Sequence, residues 1–316
     1  MNNKMSVVAI GGNSLIKDNK KISILDQLEA VRETCSNIAE LVSAGWDVVI
    51  THGNGPQVGF IMRRNEIAAG EIPPEPLEIA VADTQGAIGS MIQQALLNEF
   101  RKRQINKQVI VVITQVLVDS EDPAFHNPTK PIGSFLTREE AEQLQKENGM
   151  SFVEDAGRGW RRVVPSPDPK KIIEIDAIHD LVKKGYVVVC VGGGGIPVIE
   201  KESTYESVSA VIDKDYASAL LARDLRADAF IVTTGVNRVS LHFGTPEEYE
   251  LAQMTTDEAK TYLEEGHFPA GSMGPKIEAI LRYLDGYNGQ GIITSPGYLV
   301  ESVSGESGTS IYSVAQ

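Results

Sequence analysis

The sequence predicts an α/β fold, in which helices cover a parallel β-sheet. Residues 187–191 are an uninterrupted apolar run, four of the five being valine, that ends in four consecutive glycines at 192–195. Such a run is typical of a strand buried on both faces of a parallel sheet. Within the first 60 residues, two further apolar runs each end in a glycine turn that leads into a helix. Strand, glycine turn and helix in this order indicate βαβ units, whose ligand sites lie at the carboxyl ends of the strands.

The first 120 residues predict elements from hydrophobic spacing and from the residues that end each run. The first strand ends at Gly11 and Gly12, and Gly45 closes the first long helix. Pro56 follows the turn at 51–55, and proline suits the first turn of a helix. In chain order, the other predicted elements are a strand at 7–10, a helix at 28–42, a strand at 46–50, a helix at 79–101 and a strand at 109–118.

Residues 123–166 interrupt this regular order. Five prolines lie between residues 125 and 169, and a short helix fits at 137–148, with Thr137 as its N-cap and Glu140 at the capping-box position. A proline-rich excursion from a series of strands and helices is typical of an inserted subdomain or lid. We therefore expect one domain over residues 1–316, with 123–166 inserted as a protruding lid.

The second half returns to alternating strands and helices. In chain order, the predicted elements are a helix at 172–184, a strand at 187–191, a helix that follows Lys214, a strand at 229–233, helices at 256–265 and 275–284, and a strand at 291–294.

Composition narrows the functional classes. The 316 residues suffice for one large α/β domain or two smaller ones, and the net charge of −14 argues against general binding to nucleic acid or to an anionic membrane. An anionic substrate would then need local cations. Two cysteines, Cys35 and Cys190, provide no disulfide framework. Only a few residues precede the first strand, and no apolar run reaches membrane-spanning length, so we expect a cytoplasmic enzyme.

Glycine turns and isolated lysines predict the chemistry. Three predicted strands end in glycine-rich backbone that can cradle an anion, and Lys130, Lys214 and Lys276 each lie beside unusual backbone. The sequence has no P-loop pattern, no G-x-G-x-x-G at the first strand, no G-x-S-x-G and no histidines at metal-ligand spacing. The remaining features suit phosphoryl transfer, where positioning and charge neutralisation do most of the catalysis. Each lysine could also be an ordinary solvated surface charge.

The chain resembles the carbamate kinases of the amino-acid kinase superfamily along nearly its whole length. The motifs that carry the resemblance are AIGGN (9–13), HGNGPQVG (52–59), NPTKPIG (127–133), EDAGRGWR (154–161), VPSP (164–167), GGGGIP (192–197), AVIDKD (210–215) and GSMGPK (271–276). The motifs at 52–59 and 154–161 are specific to carbamate kinases within the superfamily.

The resemblance implies a three-layer αβα sandwich around a mainly parallel eight-stranded sheet, with a small protruding subdomain. It implies reversible phosphoryl transfer between ATP and carbamate with Mg²⁺, running towards ATP from carbamoyl phosphate and ADP in fermentative arginine breakdown, and a homodimer. The implied catalytic residues are Lys130, Lys214, Asp215 and Lys276. The implied substrate-binding residues are Gly11, Gly12, Asn13, Gly53 and Asn54. The implied nucleotide-binding residues are Gly193, Gly194, Asp213, Thr234, Gly235, Val236, Met273 and Lys276, and no protein ligand is assigned to the metal.

Two other functions stay open at this point. A related kinase would phosphorylate an amino-acid carboxylate or another small acceptor, and a substrate panel would identify it. A non-catalytic nucleotide sensor on the same fold would lack one of the phosphate-binding lysines, whereas this chain has all three candidates.

Overall fold

The central element is an eight-stranded sheet in a computed structural model that describes residues 3–12, 15–16, 22–154, 159–269 and 271–313. In spatial order its strands are β15 (Gln253–Thr255), β17 (Thr309–Tyr312), β16 (Gln290–Thr294), β12 (Ala229–Thr233), β1 (Met5–Ile10), β2 (Asp47–His52), β9 (Val187–Val189) and β3 (Val109–Val111). The six strands from β16 to β3 are parallel, whereas β17 is antiparallel to β16 and β15 is parallel to β17. The predicted mainly parallel sheet is confirmed.

Helices cover both faces of this sheet. Successive side chains of a strand point to opposite faces, and in β1 Val7 and Ala9 belong to one hydrophobic core while Val8 and Ile10 belong to another. The helices that contribute to the first core are α5 (Ile175–Lys183), α6 (Lys214–Asp224), α7 (Thr256–Glu264) and α8 (Met273–Leu284). Those that contribute to the second are α1 (Ile24–Ser43), α3 (Leu77–Arg103) and α9 (Leu299–Val303). The molecule is therefore the predicted three-layer αβα sandwich.

Smaller sheets lie beside the central one. The strands β11 (Thr204–Ser207), β10 (Ile196–Lys201), β4 (Gln115–Val118) and β8 (Pro169–Ile172) form a four-stranded sheet in that order. The strands β13 (Val239–Leu241) and β14 (Tyr249–Leu251) pair with each other. The third small sheet consists of β5 (Lys130–Leu136), β7 (Trp160–Val164) and β6 (Ser151–Glu154).

This three-stranded antiparallel sheet and helix α4 (Arg138–Asn148) lie within the predicted insertion at 123–166. As predicted, Thr137 is the N-cap of α4 and forms a capping box with Glu140. At the base of the segment, Lys130 is paired with Val164, so the chain leaves and returns at adjacent positions. Helix α2 (Gly55–Ile67) connects the segment to the body, because Val58 and Met62 share a small core with residues of β5 and β7. Movement of the segment as a lid stays a prediction.

Some of the predicted elements are wrong in their extent. The strand predicted at 109–118 is two strands in different sheets. Between them, Thr114 exchanges two hydrogen bonds with the Gln85 side chain of α3, at 2.8 and 3.1 Å, and its carbonyl oxygen also accepts the N–H of Ile196 of β10 at 2.9 Å. The helix predicted at 172–184 begins only at Ile175, because Ile172 ends β8 and pairs with Val116.

The central run at 187–191 also forms a shorter strand than predicted. β9 ends at Val189, and Val191 has a φ of 52°, which lies outside strand geometry. The strand predicted at 229–233 has the predicted bounds, and Pro56 lies in the first turn of α2 as expected. In the part of the chain that the structure describes, none of the helices combines the length and the apolar character that a membrane span requires.

Candidate active site

A cavity of about 590 Å³ lies at the carboxyl ends of the central strands. It is bounded by the turn after β2, the first turns of α6 and α8, the base of β5 and one residue of β7. Eight of the predicted site residues line it, and they come from five separate stretches of the chain. These are Gly53, Asn54, Lys130, Gly193, Asp213, Lys214, Asp215 and Lys276.

The glycine turns after β1 and β2 bring bare backbone to this edge. A Cβ atom on Gly53 would lie 3.7 Å from Cδ of Lys214 and 3.9 Å from the nitrogen of Gly12. A Cβ atom on Gly11 would lie only 2.7 Å from the carbonyl oxygen of Thr233, whose hydroxyl accepts the Gly11 N–H at 3.1 Å. Close approach of β1 to β12 therefore requires glycine here, and the turn backbones lie beside the Lys214 side chain.

The four glycines at 192–195 serve mainly to let other parts of the protein approach closely. Gly193 lines the cavity, has a φ of +66°, and would collide with the side chain of Asn54 if it carried a Cβ. A Cβ on Gly194, where φ is +93°, would lie 2.5 Å from the carbonyl oxygen of Ile212. The turn thus fixes Asn54 and the segment that leads into α6, in addition to any contact with an anion.

A carboxylate between two lysines forms the floor of the cavity. One oxygen of Asp215 lies 2.7 Å from Nζ of Lys214 and the other lies 2.9 Å from Nζ of Lys276. Their side chains are 6%, 13% and 18% exposed, respectively, so water screens these charges weakly. Lys214 is the first residue of α6 and Lys276 lies in the first turn of α8, so both ammonium groups stand at helix N-termini, where anions are favoured.

Burial and charge act against each other in this group. Burial lowers the pKa of Lys214, while the Asp215 carboxylate opposes that effect. Burial alone would raise the pKa of Asp215, but attraction to Lys214 and Lys276 outweighs it and holds the pKa well below its usual range. Asp215 is therefore ionised across the physiological range. One negative charge between two ammonium groups leaves an excess of positive charge directed at the cavity.

Lys130 reaches the same cavity from the inserted segment. Its Nζ lies 2.6 Å from Oδ2 of Asp213, and its side chain is 35% exposed. The other carboxylate oxygen of Asp213 accepts the backbone N–H of Asp215 at 2.8 Å and caps helix α6. A single carboxylate therefore links the base of the insertion to the helix that carries Lys214.

Arg161 is a fourth basic residue on the cavity wall that the site prediction missed. It lies on β7, and its Nη2 donates to the carbonyl oxygen of Pro131 at 3.3 Å. The signal was present in the 154–161 motif, but the sequence does not reveal which residues of that motif point to the cavity. With Arg161, four basic side chains and two carboxylates line the cavity in a chain whose net charge is −14. This local excess of positive charge suits a phosphorylated substrate.

His52, at the end of β2, is a buried neighbour of the site. Burial lowers the pKa of His52 to about 4, so the imidazole is neutral near pH 7. Its Nδ1 lies 3.0 Å from the carbonyl oxygen of Gly53, which can only accept, so Nδ1 carries the proton. The histidine thus holds the Gly53 peptide and is not available as a base at that nitrogen.

The other predicted site residues lie around the cavity. Thr234, Gly235 and Val236 follow β12 at the same edge of the sheet, and the Thr234 N–H donates to the Thr294 carbonyl at 2.9 Å. Met273 begins α8 and packs against the core beneath it. Asn13 lies outside the described residues. The roles assigned to all of the site residues stay predictions.

Comparison with known proteins gives a consistent result. A sequence profile of the amino acid kinase family matches residues 4–295. The chain is 47% identical to carbamate kinase from Thermococcus kodakarensis, with 98% of this chain and 99% of the relative covered. It is 50% identical to the carbamate kinase-like protein YahI from Escherichia coli, with 98% of each covered. Carbamate kinase from Giardia lamblia bound to AMP-PNP superimposes with a TM-score of 0.93 at 40% identity, and 99% of each chain is covered.

Proposed function

The chain belongs to the amino acid kinase family and, within it, to the carbamate kinases, and from this premise we propose that it transfers a phosphoryl group reversibly between ATP and carbamate. It is a phosphotransferase, and the observation that carries the proposal is the buried Asp215 held between Lys214 and Lys276 at the floor of the cavity. Two fixed ammonium groups beside glycine-rich backbone are suited to a transferring phosphoryl group, whose charge spreads over its oxygens in the transition state.

Each side chain has a role that follows from its position. Lys214 and Lys276 neutralise the phosphoryl oxygens, and Asp215 fixes both ammonium groups so that little reorganisation accompanies transfer. Lys130 exchanges the Asp213 carboxylate for the oxygens of the transferring group. The backbone around Gly11, Gly12 and Gly53, together with Asn54 and Asn13, holds the carbamate end. The nucleotide lies towards Gly193, Gly194 and Asp213, with residues 234–236 and Met273 at its far side.

The transfer requires no general base, because the attacking carbamate oxygen carries no proton. In the direction of carbamoyl phosphate synthesis, an anionic carbamate oxygen attacks the γ-phosphorus of ATP, and the bond from that phosphorus to the bridging oxygen of ADP breaks. Both carboxylates of the cavity are already engaged, Asp215 by two lysines and Asp213 by Lys130 and a backbone N–H. An acceptor that is already ionised, such as carbamate, fits this arrangement better than a hydroxyl group that must lose a proton.

Mg²⁺ would enter with the nucleotide. Among the described residues, no group of three or more His, Cys, Asp or Glu side chains could hold a metal ion. Mg²⁺ commonly keeps several waters and binds through substrate phosphates with one or two carboxylates, and Asp213 is the carboxylate on the predicted nucleotide side of the cavity. When bound, the ion neutralises part of the charge on the phosphates.

The physiological setting follows the resemblance. We propose that the enzyme works in the cytoplasm as a homodimer and forms ATP from carbamoyl phosphate and ADP in fermentative arginine breakdown. Sedimentation of the purified protein at several concentrations tests the dimer. A single species with the mass of one chain would contradict it.

The segment at 123–166 is proposed to act as a lid. Its separate sheet and its position at the cavity mouth support this role. Amide hydrogen exchange in the segment should slow when ADP and carbamoyl phosphate are both bound. Equal exchange with and without the two ligands would remove the lid from the proposal.

The decisive experiment is a coupled assay of ATP formation from carbamoyl phosphate and ADP. A folded protein that forms no ATP from this pair would overturn the proposal. The similarity to a relative named only as carbamate kinase-like favours one second candidate, a kinase for another small acceptor. The same assay with acetyl phosphate and other acyl phosphates in place of carbamoyl phosphate distinguishes the two.

A further inference from the structure

A second cavity, here called the rear cavity, lies between the three-stranded sheet with α4 and the region of α2 and the loop that follows it. Its volume is about 620 Å³. The alternation of side chains along β7 separates it from the candidate active site, because Arg161 lines the active site and Arg162 lines the rear cavity. The sheet that carries Lys130 therefore has a cavity on each face.

The walls of the rear cavity are largely apolar. The apolar side chains that line it include Met62, Leu77, Leu136, Leu144, Met150 and Phe152. They come from both the inserted segment and the body of the domain. A concave apolar space of a few hundred Å³ with a small number of polar groups has the form of a small-molecule site.

Arg162 is the distinctive polar group of this cavity. Its side chain is partly buried, and among the residues that the structure describes it has no carboxylate within ion-pair distance. Burial lowers the pKa of Arg162, and Glu66 opposes this only through longer-range attraction. A desolvated cation without a close counter-ion is costly, and an incoming anion would relieve that cost. The planar guanidinium group is suited to a carboxylate, which it can bind through two parallel hydrogen bonds.

Three carboxylates line the cavity, and two of them, Glu66 and Glu147, are paired or exposed. Glu66 accepts from Arg63 at 2.8 Å. Glu147 is exposed on α4 and accepts from Gln143 at 2.9 Å. Burial and the nearby Asp83 raise the pKa of Glu75, and one of its carboxylate oxygens is buried without a hydrogen-bond partner among the described residues. The charges of Glu66 and Glu147 therefore oppose an anion weakly, and Glu75 is the carboxylate that an anionic ligand on Arg162 must avoid.

We propose that the rear cavity is a binding site for a small amphipathic carboxylate, with the carboxylate on Arg162 and the apolar tail among the side chains of α4, β6 and α2. The site is distinct from the phosphoryl-transfer site, and its occupant bridges the inserted segment and the body of the domain.

Hexanoate is a suitable probe, and hexylamine and hexan-1-ol are the controls with the same tail. Calorimetric titration of the intact protein should show saturable binding of hexanoate, unchanged by excess carbamoyl phosphate. Arg162→Gln should weaken this binding at least tenfold. Arg138→Gln, which changes an exposed arginine of α4 that is paired with Glu142, should leave it unchanged.

Leu144→Trp provides a second test that does not depend on Arg162, because the larger side chain fills the cavity from α4. This variant should retain its thermal midpoint and lose hexanoate binding. The proposal is overturned if hexanoate fails to bind the wild-type protein, if both variants bind it normally, if carbamoyl phosphate displaces it, or if hexylamine binds equally well.

Discussion

Replacing Lys214 by methionine removes one of the two cations that flank Asp215 while keeping a side chain of similar length. The lost ammonium group lies 2.7 Å from the carboxylate, with only 13% of the lysine side chain exposed, so it acts in a weakly screened environment. Removing one preorganised contact to a developing anion costs about 2.7–4 kcal/mol, or roughly 10²–10³ in kcat. We expect a loss on that scale in ATP formation from carbamoyl phosphate and ADP.

The same substitution should lower the free energy of unfolding by less than the loss of a buried ion pair usually does. Removing one partner of a buried ion pair costs about 3–5 kcal/mol when it leaves the other charge unpaired. Here Asp215 keeps Lys276 at 2.9 Å, so we expect the loss in free energy of unfolding to fall below that range. The variant should stay folded, and its ADP affinity should change less than its kcat.

The control is Lys102→Met, which removes a lysine of α3 that is 71% exposed and paired with Glu99. This variant should keep both kcat and thermal midpoint. The measurements are kcat, ADP affinity and thermal midpoint for both proteins. If Lys214→Met retains near-normal kcat, the role assigned to this lysine in the transfer step is wrong.

Three further predictions follow from the same geometry. Lys130→Ala should cut kcat strongly with little change in ADP affinity, because its ion pair with Asp213 holds this lysine beside the proposed position of the transferring group. Normal turnover would show that Lys130 is an ordinary solvated charge. His52 has a folded pKa of about 4, below its unfolded value, so its contribution to stability is complete above pH 6.5 and declines as the pH falls towards 4. Between pH 7 and 4.5, the free energy of unfolding measured in urea should therefore fall by about 2–3 kcal/mol more in the wild-type protein than in His52→Gln. Equal falls in both proteins would contradict this. Gly193→Ala should impair turnover, because the added Cβ strains a φ of +66° and displaces Asn54; unchanged turnover would show that this close approach is unnecessary.

Local signals in the sequence were sufficient for much of the fold. The strand at 229–233 has the predicted bounds because its first four residues are apolar and all five are buried. Helix α4 begins as predicted because Thr137 and Glu140 satisfy each other's backbone N–H groups through contacts within four residues. Such features need no knowledge of distant parts of the chain.

The wrong predictions concern positions whose secondary structure depends on hydrogen bonds with residues far away in the sequence. The run at 109–118 is apolar except for Thr114 and Gln115, but it forms two strands, and Thr114 between them is hydrogen-bonded to the side chain of Gln85, nearly 30 residues away. Residues 172–174 fit a helical pattern, yet pairing with β4 places Ile172 in a strand. Tertiary hydrogen bonds of this kind leave no periodic signal in the sequence.

In the candidate site, too, the sequence indicates the local contacts but not those that depend on the fold. Proximity of Lys214 and Asp215 follows from their adjacency, whereas the approach of Lys276 to Asp215 across 61 positions appears only in the fold. The glycines at 192–195 were expected to cradle an anion. Most of the space beside them is taken by the side chains of His52 and Asn54 and by the backbone of Ile212, which no local pattern could indicate.

The pairing of Lys130 with Val164 places this lysine at the base of the inserted segment, where the segment joins the body of the domain. A body that rotates about its attachment moves its far end most and its base least. If the segment moves as the proposed lid, helix α4 and the distal part of the sheet would travel a long arc while the Lys130 ammonium would shift by a small fraction of that distance. Access to the cavity and alignment of this lysine would then depend on different parts of the segment, and the distal part could change in length or sequence without disturbing the alignment.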